Sequence, residues 1–291
     1  MRRHEPLPRE IELSNASKVL DVGAGTLVWT LDVASLPEIK HRLVPMVSNP
    51  IHLYACDITN EKFPPSHELE PLGITTFVHD VTIPFPEDLN GTFDLVHMRL
   101  LCSALSEEGW KKSLKHIHAI LKPGGILLLW DCDSVWFPGT ILADRYNFDD
   151  CREGTSWIHK LNCIVYGYAL RNQLIPDPSQ RLPSLLSSCS FFVKHLQRQI
   201  GTFGKLCEMA NGPHNGASLE EDRQFSIHNL GSVVDAFSRG LLHDGALEAP
   251  RGHKVTTEEE RKTLLEEIMN GCREDGTYTP TIEVVAYKTE Y

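Results

Sequence analysis

The chemically most suggestive segment is VLDVGAGTLVW, Val19–Trp29, where an apolar run meets two glycines and then a helical pattern. Gly23 and Gly25 let the chain turn tightly and bring bare backbone against a ligand. The helix that follows offers unpaired amide donors at its N-terminus. A dinucleotide-binding turn needs a third glycine at the position of Val28, so a pyrophosphate fits poorly. Asp21, at the strand end, would repel phosphate and suit an amino group. The combination favours a cofactor carrying an ammonium over one carrying a pyrophosphate.

Further polar residues stand at the ends of later apolar runs. Asp57 closes IHLYAC and Asp80 closes TTFVH. His97 ends FDLVH, and Asp131 and Asp133 flank Cys132 after ILLLW. Ligands bind at the carboxyl ends of parallel strands, so Asp57 and Asp80 behind a glycine turn read as a binding pair more readily than as strand-end caps. His97 stays open between a structural hydrogen bonder, a neighbour of the cofactor and a proton acceptor. Asp131 is a second catalytic candidate. Asp131 and Asp133 lack an evident third oxygen ligand, and no metal site is assigned.

The elements that must position these residues follow from hydrophobic periodicity. Strands are expected at Lys18–Val22, Ile51–Cys56, Thr75–His79, Phe93–His97 and Ile126–Trp130, with helices at Thr26–Leu36 and Glu107–Leu121 between them. In the latter, Trp110, Leu114, Ile117 and Leu121 share one face. Pro123-Gly124-Gly125 should stop that helix. Strands alternating with helices argue for an α/β, mostly parallel sheet covered on both faces. Residues 134 to 175 read as mostly helical. A helix at Arg181–Ser188 and a sixth strand at Phe191–Gln199 come next. A helical stretch covers 203–275, clearest at Ser232–Leu242 and Thr257–Cys272. Thr257 and Glu260 have capping-box spacing. Thr281–Lys288 is the final strand.

Taken in order, these motifs resemble those of class I S-adenosylmethionine-dependent methyltransferases, and in particular fungal secondary-metabolism enzymes acting on small molecules. VLDVGAGTLVW looks like motif I, HDV at His79–Val81 like the adenine-binding motif, and FDLVHMRLL like motif IV. LKPGGILLLWDCD resembles the motif that leads into the fifth strand. RLPSLLSSCSFF and EVVAYK resemble the last helix and the closing strand pair. The resemblance implies a Rossmann-like sheet of seven strands, the last antiparallel, with helical insertions. It implies S-adenosyl-L-methionine as cofactor, held by Asp21, Gly23, Ala24, Gly25, Trp29, Asp57, Ile58, His79, Asp80, Val81, His97 and Met98, with Asp57 on the ribose hydroxyls and Asp80 on the adenine amine. Methyl transfer to an oxygen, nitrogen or sulfur of a small-molecule acceptor is then the expected reaction. The alternative is a non-methylating protein of the same fold, a regulator or a catalyst of rearrangement. Three features depart from the pattern. The third motif I glycine falls on Leu27, 36 residues separate Asp21 from Asp57, and about sixteen residues precede the first strand.

The expected organisation is a cofactor-binding half at 1–133, a helical substrate cap at 134–177, the rest of the sheet at 178–200 with 279–291, and a second helical insertion at 201–278. A net charge of −11 with no basic patch argues against nucleic acid. The 8 cysteines include no CxxC pair, which suits free thiols. No signal peptide and no membrane span is expected, so the chain reads as cytoplasmic, with a homodimer as an option.

Overall fold

The computed structural model describes residues 6–43, 47–139, 146–207 and 219–289. In chain order the first half holds β1 (Lys18–Val22), α1 (Val28–Ser35), α2 (Pro37–Lys40), β2 (His52–Asp57), α3 (Ser66–Leu69), β3 (Ile74–Val78), β4 (Phe93–Arg99), α4 (Glu107–Ile120) and β5 (Leu121–Cys132). The second half holds α5 (Trp157–Arg171), α6 (Pro178–Ser188), β6 (Phe191–Phe203), α7 (Leu219–His243), a hairpin of β7 (Glu248–Ala249) and β8 (His253–Lys254), α8 (Glu258–Glu274) and β9 (Thr277–Lys288). Seven strands form one sheet in the order β3-β2-β1-β4-β5-β9-β6. The first five run parallel, and β9 runs antiparallel between β5 and β6.

Side chains alternate across a strand, so a strand covered on both faces is apolar at nearly every position. Leu20, Val22, Val96 and Met98 enter one core, beneath α4 and α6 with Trp110, Leu114, Ile117 and Leu182. Val19 and Leu95 enter the other, beneath α1 and α2 with Val33 and Ile39. Helix α4 is fixed by Ser106, whose side chain accepts from the Gly109 amide at 3.1 Å.

Several boundaries differ from expectation for local physical reasons. The Pro-Gly-Gly turn does not end the chain's pairing. It is absorbed as a bulge, with the β4–β5 register passing from Phe93↔Leu121 to Leu95↔Ile126. Strands β6 and β9 are longer than their apolar runs and pair out to Phe203↔Thr277. Pro280 reads as a strand breaker, yet it lies just past Thr281↔Cys132, where β5 ends, so few ladder bonds need its missing amide hydrogen. Residues 134–139 are not helical. Phe137 exchanges both backbone hydrogen bonds with Tyr278, at 2.9 and 3.0 Å. In the described part of 134–175, helix is confined to α5 and a short 3-10 turn at Asp150–Arg152; residues 140–145 of the expected helical stretch lie outside the described residues.

The expected helix at Ser232–Leu242 lies inside α7, and the capping box of α8 forms: Glu260 N donates to Thr257 Oγ1 at 3.2 Å, and Thr257 N to Glu260 Oε2 at 3.1 Å. Helices α5, α7 and α8 pack on one another around Leu161, Ile164, Val234, Leu241, Leu264 and Ile268, a third core that Phe203 at the end of β6 joins to the sheet. Arg261, 2% exposed, crosses this bundle from α8 to Asp235 of α7 at 2.7 Å and is neutralised by Glu258 as well. No helix among the described residues is long and apolar enough to cross a membrane.

Candidate functional site

The turn after β1 opens the site. Gly23 and Gly25 both have left-handed backbone, at φ 67° and 54°. A Cβ on Gly23 would lie 2.7 Å from Leu101 Cδ2, so that glycine admits a side chain from the loop after β4. A Cβ on Gly25 would meet nothing within 4 Å. Gly25 therefore borders open space at the carboxyl edge of the sheet. Its amide donates to Asp57 Oδ2 at 2.8 Å, and the Ile58 amide donates to Asp57 Oδ1 at 2.7 Å. Each carboxylate oxygen keeps a lone pair for a further donor. The Ile58 side chain is 65% exposed beside it.

Asp80 accepts from the Thr82 amide at 2.8 Å and the Thr82 hydroxyl at 2.7 Å, both on Oδ1. Those bonds hold its carboxyl below the usual carboxylate range. The His79 amide donates to the Asp57 carbonyl at 2.8 Å, which ties the β3 loop to the β2 loop. The His79 ring leans on Phe85 at 4.0 Å, and burial lowers its pKa. Ala24 joins the same edge through a 3.0 Å bond from its amide to the Cys56 carbonyl. The Val81 carbonyl pairs with His116 at 3.0 Å, and the Val81 side chain packs on the core.

Behind the glycine turn lies a buried polar cluster. His97 Nδ1 donates to Asp21 Oδ1 at 2.8 Å, and the Thr30 hydroxyl donates to Asp21 Oδ2 at 2.7 Å. The Trp29 indole stacks on the His97 ring at 3.9 Å and an 8° interplanar angle, and its Nε1 donates to the Pro6 carbonyl at 2.7 Å. Burial lowers the His97 pKa. Asp21 is 2% exposed and both its oxygens are engaged. It is thus not aimed directly at a ligand, contrary to the expectation from sequence.

Two other expectations change. Met98 is fully buried in the core, so its side chain does not reach the open edge. Asp131 is also fully buried and accepts from the Leu101, Cys102 and Cys132 amides at 3.0, 3.3 and 2.8 Å. It anchors the loop after β4 and has no access to an acceptor, which removes it as a base. Burial pushes its carboxyl up to about 6. Cys102, Asp131 and Cys132 place one ligand-type atom each within 4.8 Å of one another, and the neighbouring Cys132 and burial push the Cys102 thiol pKa up. Asp133 receives the Ser179 amide and hydroxyl at 2.7 and 2.6 Å and the Tyr146 hydroxyl, and so pins the start of α6.

Leu27 stands at the N-cap of α1 with φ 60°, the backbone that a glycine adopts without strain, and its side chain is fully buried in the core under α1. It does not crowd the open edge. Leu100, at φ 57°, is a second strained leucine on the strand-end loops. Sequence reading missed Thr30, Thr82, Leu100 and Leu101. Only Thr30 carried a signal, as a hydroxyl on the buried face of α1.

A family profile described as a methyltransferase domain matches residues 3–175. The chain belongs to this methyltransferase family. Among curated relatives, methyltransferase grgD of a Penicillium species is 33% identical over 131 residues, covering 44% of this chain and 42% of that protein. N-methyltransferase tcpN of Claviceps purpurea is 27% identical over 188 residues, covering 64% and 58%. The matched part of this methyltransferase-family chain thus spans about half the length of these relatives. Among solved structures, that of the [4+2]-cyclase SpnF is similar at 14% identity, covering 94% of this chain and 76% of that one with a TM-score of 0.47.

A separate cavity of about 810 Å³ opens between α5, the segment before it and the β7–β8 hairpin. Asp149, Arg152, Glu248 and Arg251 line it, so it is a polar space distinct in character from the Gly25 edge.

Proposed function

We propose that this protein transfers a methyl group from S-adenosyl-L-methionine to a nitrogen, sulfur or acidic oxygen of a small-molecule acceptor. The observation that carries the reading is the open space over Gly25 bounded by the Asp57 carboxylate. A side chain there would fill the place of a ligand, and no core atom needs it. When bound, the cofactor supplies a sulfonium methyl already activated for displacement.

The chain's own residues bind, orient and dry the site. Asp57 takes the ribose hydroxyls on its remaining lone pairs, while Gly25 and Ile58 hold its rotamer. Asp80 takes the adenine amine, its orientation fixed by Thr82. Ile58 offers an apolar face to the base. The bundle of α5, α7 and α8, drawn from both insertions, is the element we assign to covering the acceptor and excluding water.

Neither sequence candidate for a base is assigned to the acceptor. Asp131 is sealed by three amides, and His97, its Nδ1 on Asp21 and its ring under Trp29, is assigned to the cofactor. Catalysis then rests on position and desolvation, and the acceptor must bring its own nucleophilicity. Amines, thiols and phenols qualify, and aliphatic alcohols do not. The N-methyltransferase named among the relatives supports this preference.

The test is incubation with methyl-labelled S-adenosyl-L-methionine and matched amine, thiol, phenol and alcohol acceptors, read by mass spectrometry. Label on amines, thiols or phenols but not on alcohols is expected. Cofactor binding with no transfer to any acceptor would instead support the non-methylating alternative.

A further inference from the structure

His97 and Arg99 lie two residues apart on β4 and so share one face of the strand. That face is the α1 side, because His97 contacts Asp21 and Trp29 there, and Arg99 lies close enough to Asp32 of α1 for its charge to be felt. Met98 pairs with Val22, which places Arg99 level with the Gly23 turn at the open edge. The Asp21 carboxylate can only accept, so His97 Nδ1 carries the hydrogen, and in the neutral ring Nε2 carries the lone pair. Nε2 has no hydrogen bond among the described residues, yet it is not among the buried polar atoms cut off from solvent. Arg99 makes no ion pair among the described residues. An acceptor nitrogen backed by a buried anion, beside a cation with unused donors, is complementary to a zwitterion.

We propose that His97 and Arg99 clamp the amino-acid end of the cofactor, His97 accepting from its ammonium on Nε2 and Arg99 donating to its carboxylate. The proposal rests on the cofactor reading above. Asp21 and Trp29 are positioning residues in this account. Asp21 fixes the tautomer and delivers negative charge through the ring, and Trp29 fixes the ring plane. Burial outweighs the Asp21 carboxylate and, with the Arg99 charge, lowers the His97 pKa, which favours the lone pair. This also resolves how an acidic residue in the first motif serves an ammonium it does not touch.

The test is calorimetric titration with S-adenosylhomocysteine, its desamino analogue and its descarboxy analogue. Wild-type protein should discriminate against each analogue by about tenfold or more, the range for a hydrogen bond to a charged group. His97→Asn keeps an amide donor for Asp21 but has nothing at Nε2. It should lose discrimination against the desamino analogue alone. Arg99→Gln should lose discrimination against the descarboxy analogue alone. A variant that weakens all three ligands equally would reduce its residue to a structural role and overturn the clamp. Wild-type protein that binds none of the three would overturn the cofactor reading itself. Should His97→Asn fail to fold by circular dichroism, imidazole nitrogen NMR on wild-type protein decides. The His97 Nε2 signal must move with S-adenosylhomocysteine and the descarboxy analogue but not with the desamino analogue; an unmoved signal overturns the proposal.

Discussion

The Gly25 amide and the Asp57 carboxylate meet at 2.8 Å across the gap between β1 and β2, so the acidic residue proposed to hold the ribose also sets the shape of the glycine turn. Binding and local structure are coupled at this pair. Asp57→Ala removes an acceptor from two protein amides and from the ligand together. It should weaken S-adenosylhomocysteine at least tenfold, since a hydrogen-bonded anion contributes roughly 1.5–3 kcal/mol. Calorimetry checks this, and unchanged affinity would show that the carboxylate faces away from the ligand.

Gly25→Ala separates fold from binding at the same turn. Left-handed backbone costs an alanine roughly 1–2 kcal/mol, while its Cβ meets no protein atom within 4 Å. The variant should fold with a slightly lower urea midpoint and lose most cofactor affinity. Gly23→Ala should lose slightly more stability, because Leu101 Cδ2 stands 2.7 Å from the new atom and its side chain must turn aside. If Gly25→Ala bound normally, the open space would belong to something other than the cofactor.

Leu27 and Leu100 share a strained backbone but should respond oppositely to glycine. Relief of left-handed strain gains roughly 1–2 kcal/mol at either position. Leu27 is fully buried, and truncating a buried leucine costs about 3–5 kcal/mol, so burial wins and Leu27→Gly should destabilise. Leu100 is 37% exposed, so strain wins and Leu100→Gly should be neutral to stabilising by up to about 1 kcal/mol. Urea denaturation of both variants decides. The same sign for the two would refute the strain argument.

Much of this was legible beforehand because strand-end aspartates and a glycine turn are set by local chain geometry. Asp57 and Gly25 come together because β1 and β2 are adjacent and parallel, and the alternation of strands and helices already argued for a parallel sheet. The fate of Asp21, Met98 and Asp131 was not legible. Each lies within a residue or two of the open edge along the chain, and only side-chain direction and burial separate them from it. Thr30 and the Leu101 amide, which saturate Asp21 and Asp131, come from α1 and the β4 loop. The long β6–β9 pairing was hidden because Pro280 and the polar TYT segment carry no strand signal, and its register is set by the partner strand.

Burial raises both Asp131 and Asp133 to about 6, above their unfolded values. A raised acid binds a proton more readily in the folded state. Stability from these two groups is therefore present below the unfolded pKa and lost as pH rises through about 6. Asp133→Asn should flatten the dependence of the urea midpoint on pH between about 4 and 6 relative to wild type. An unchanged slope would mean that Asp133 is charged in the fold throughout.

The most direct test of the whole account is calorimetric titration of the wild-type protein with S-adenosylhomocysteine, with NADH as control. The acidic strand ends and the absence of a third glycine at Val28 predict micromolar binding of S-adenosylhomocysteine and none of NADH. NADH binding without S-adenosylhomocysteine binding would contradict the account at its centre.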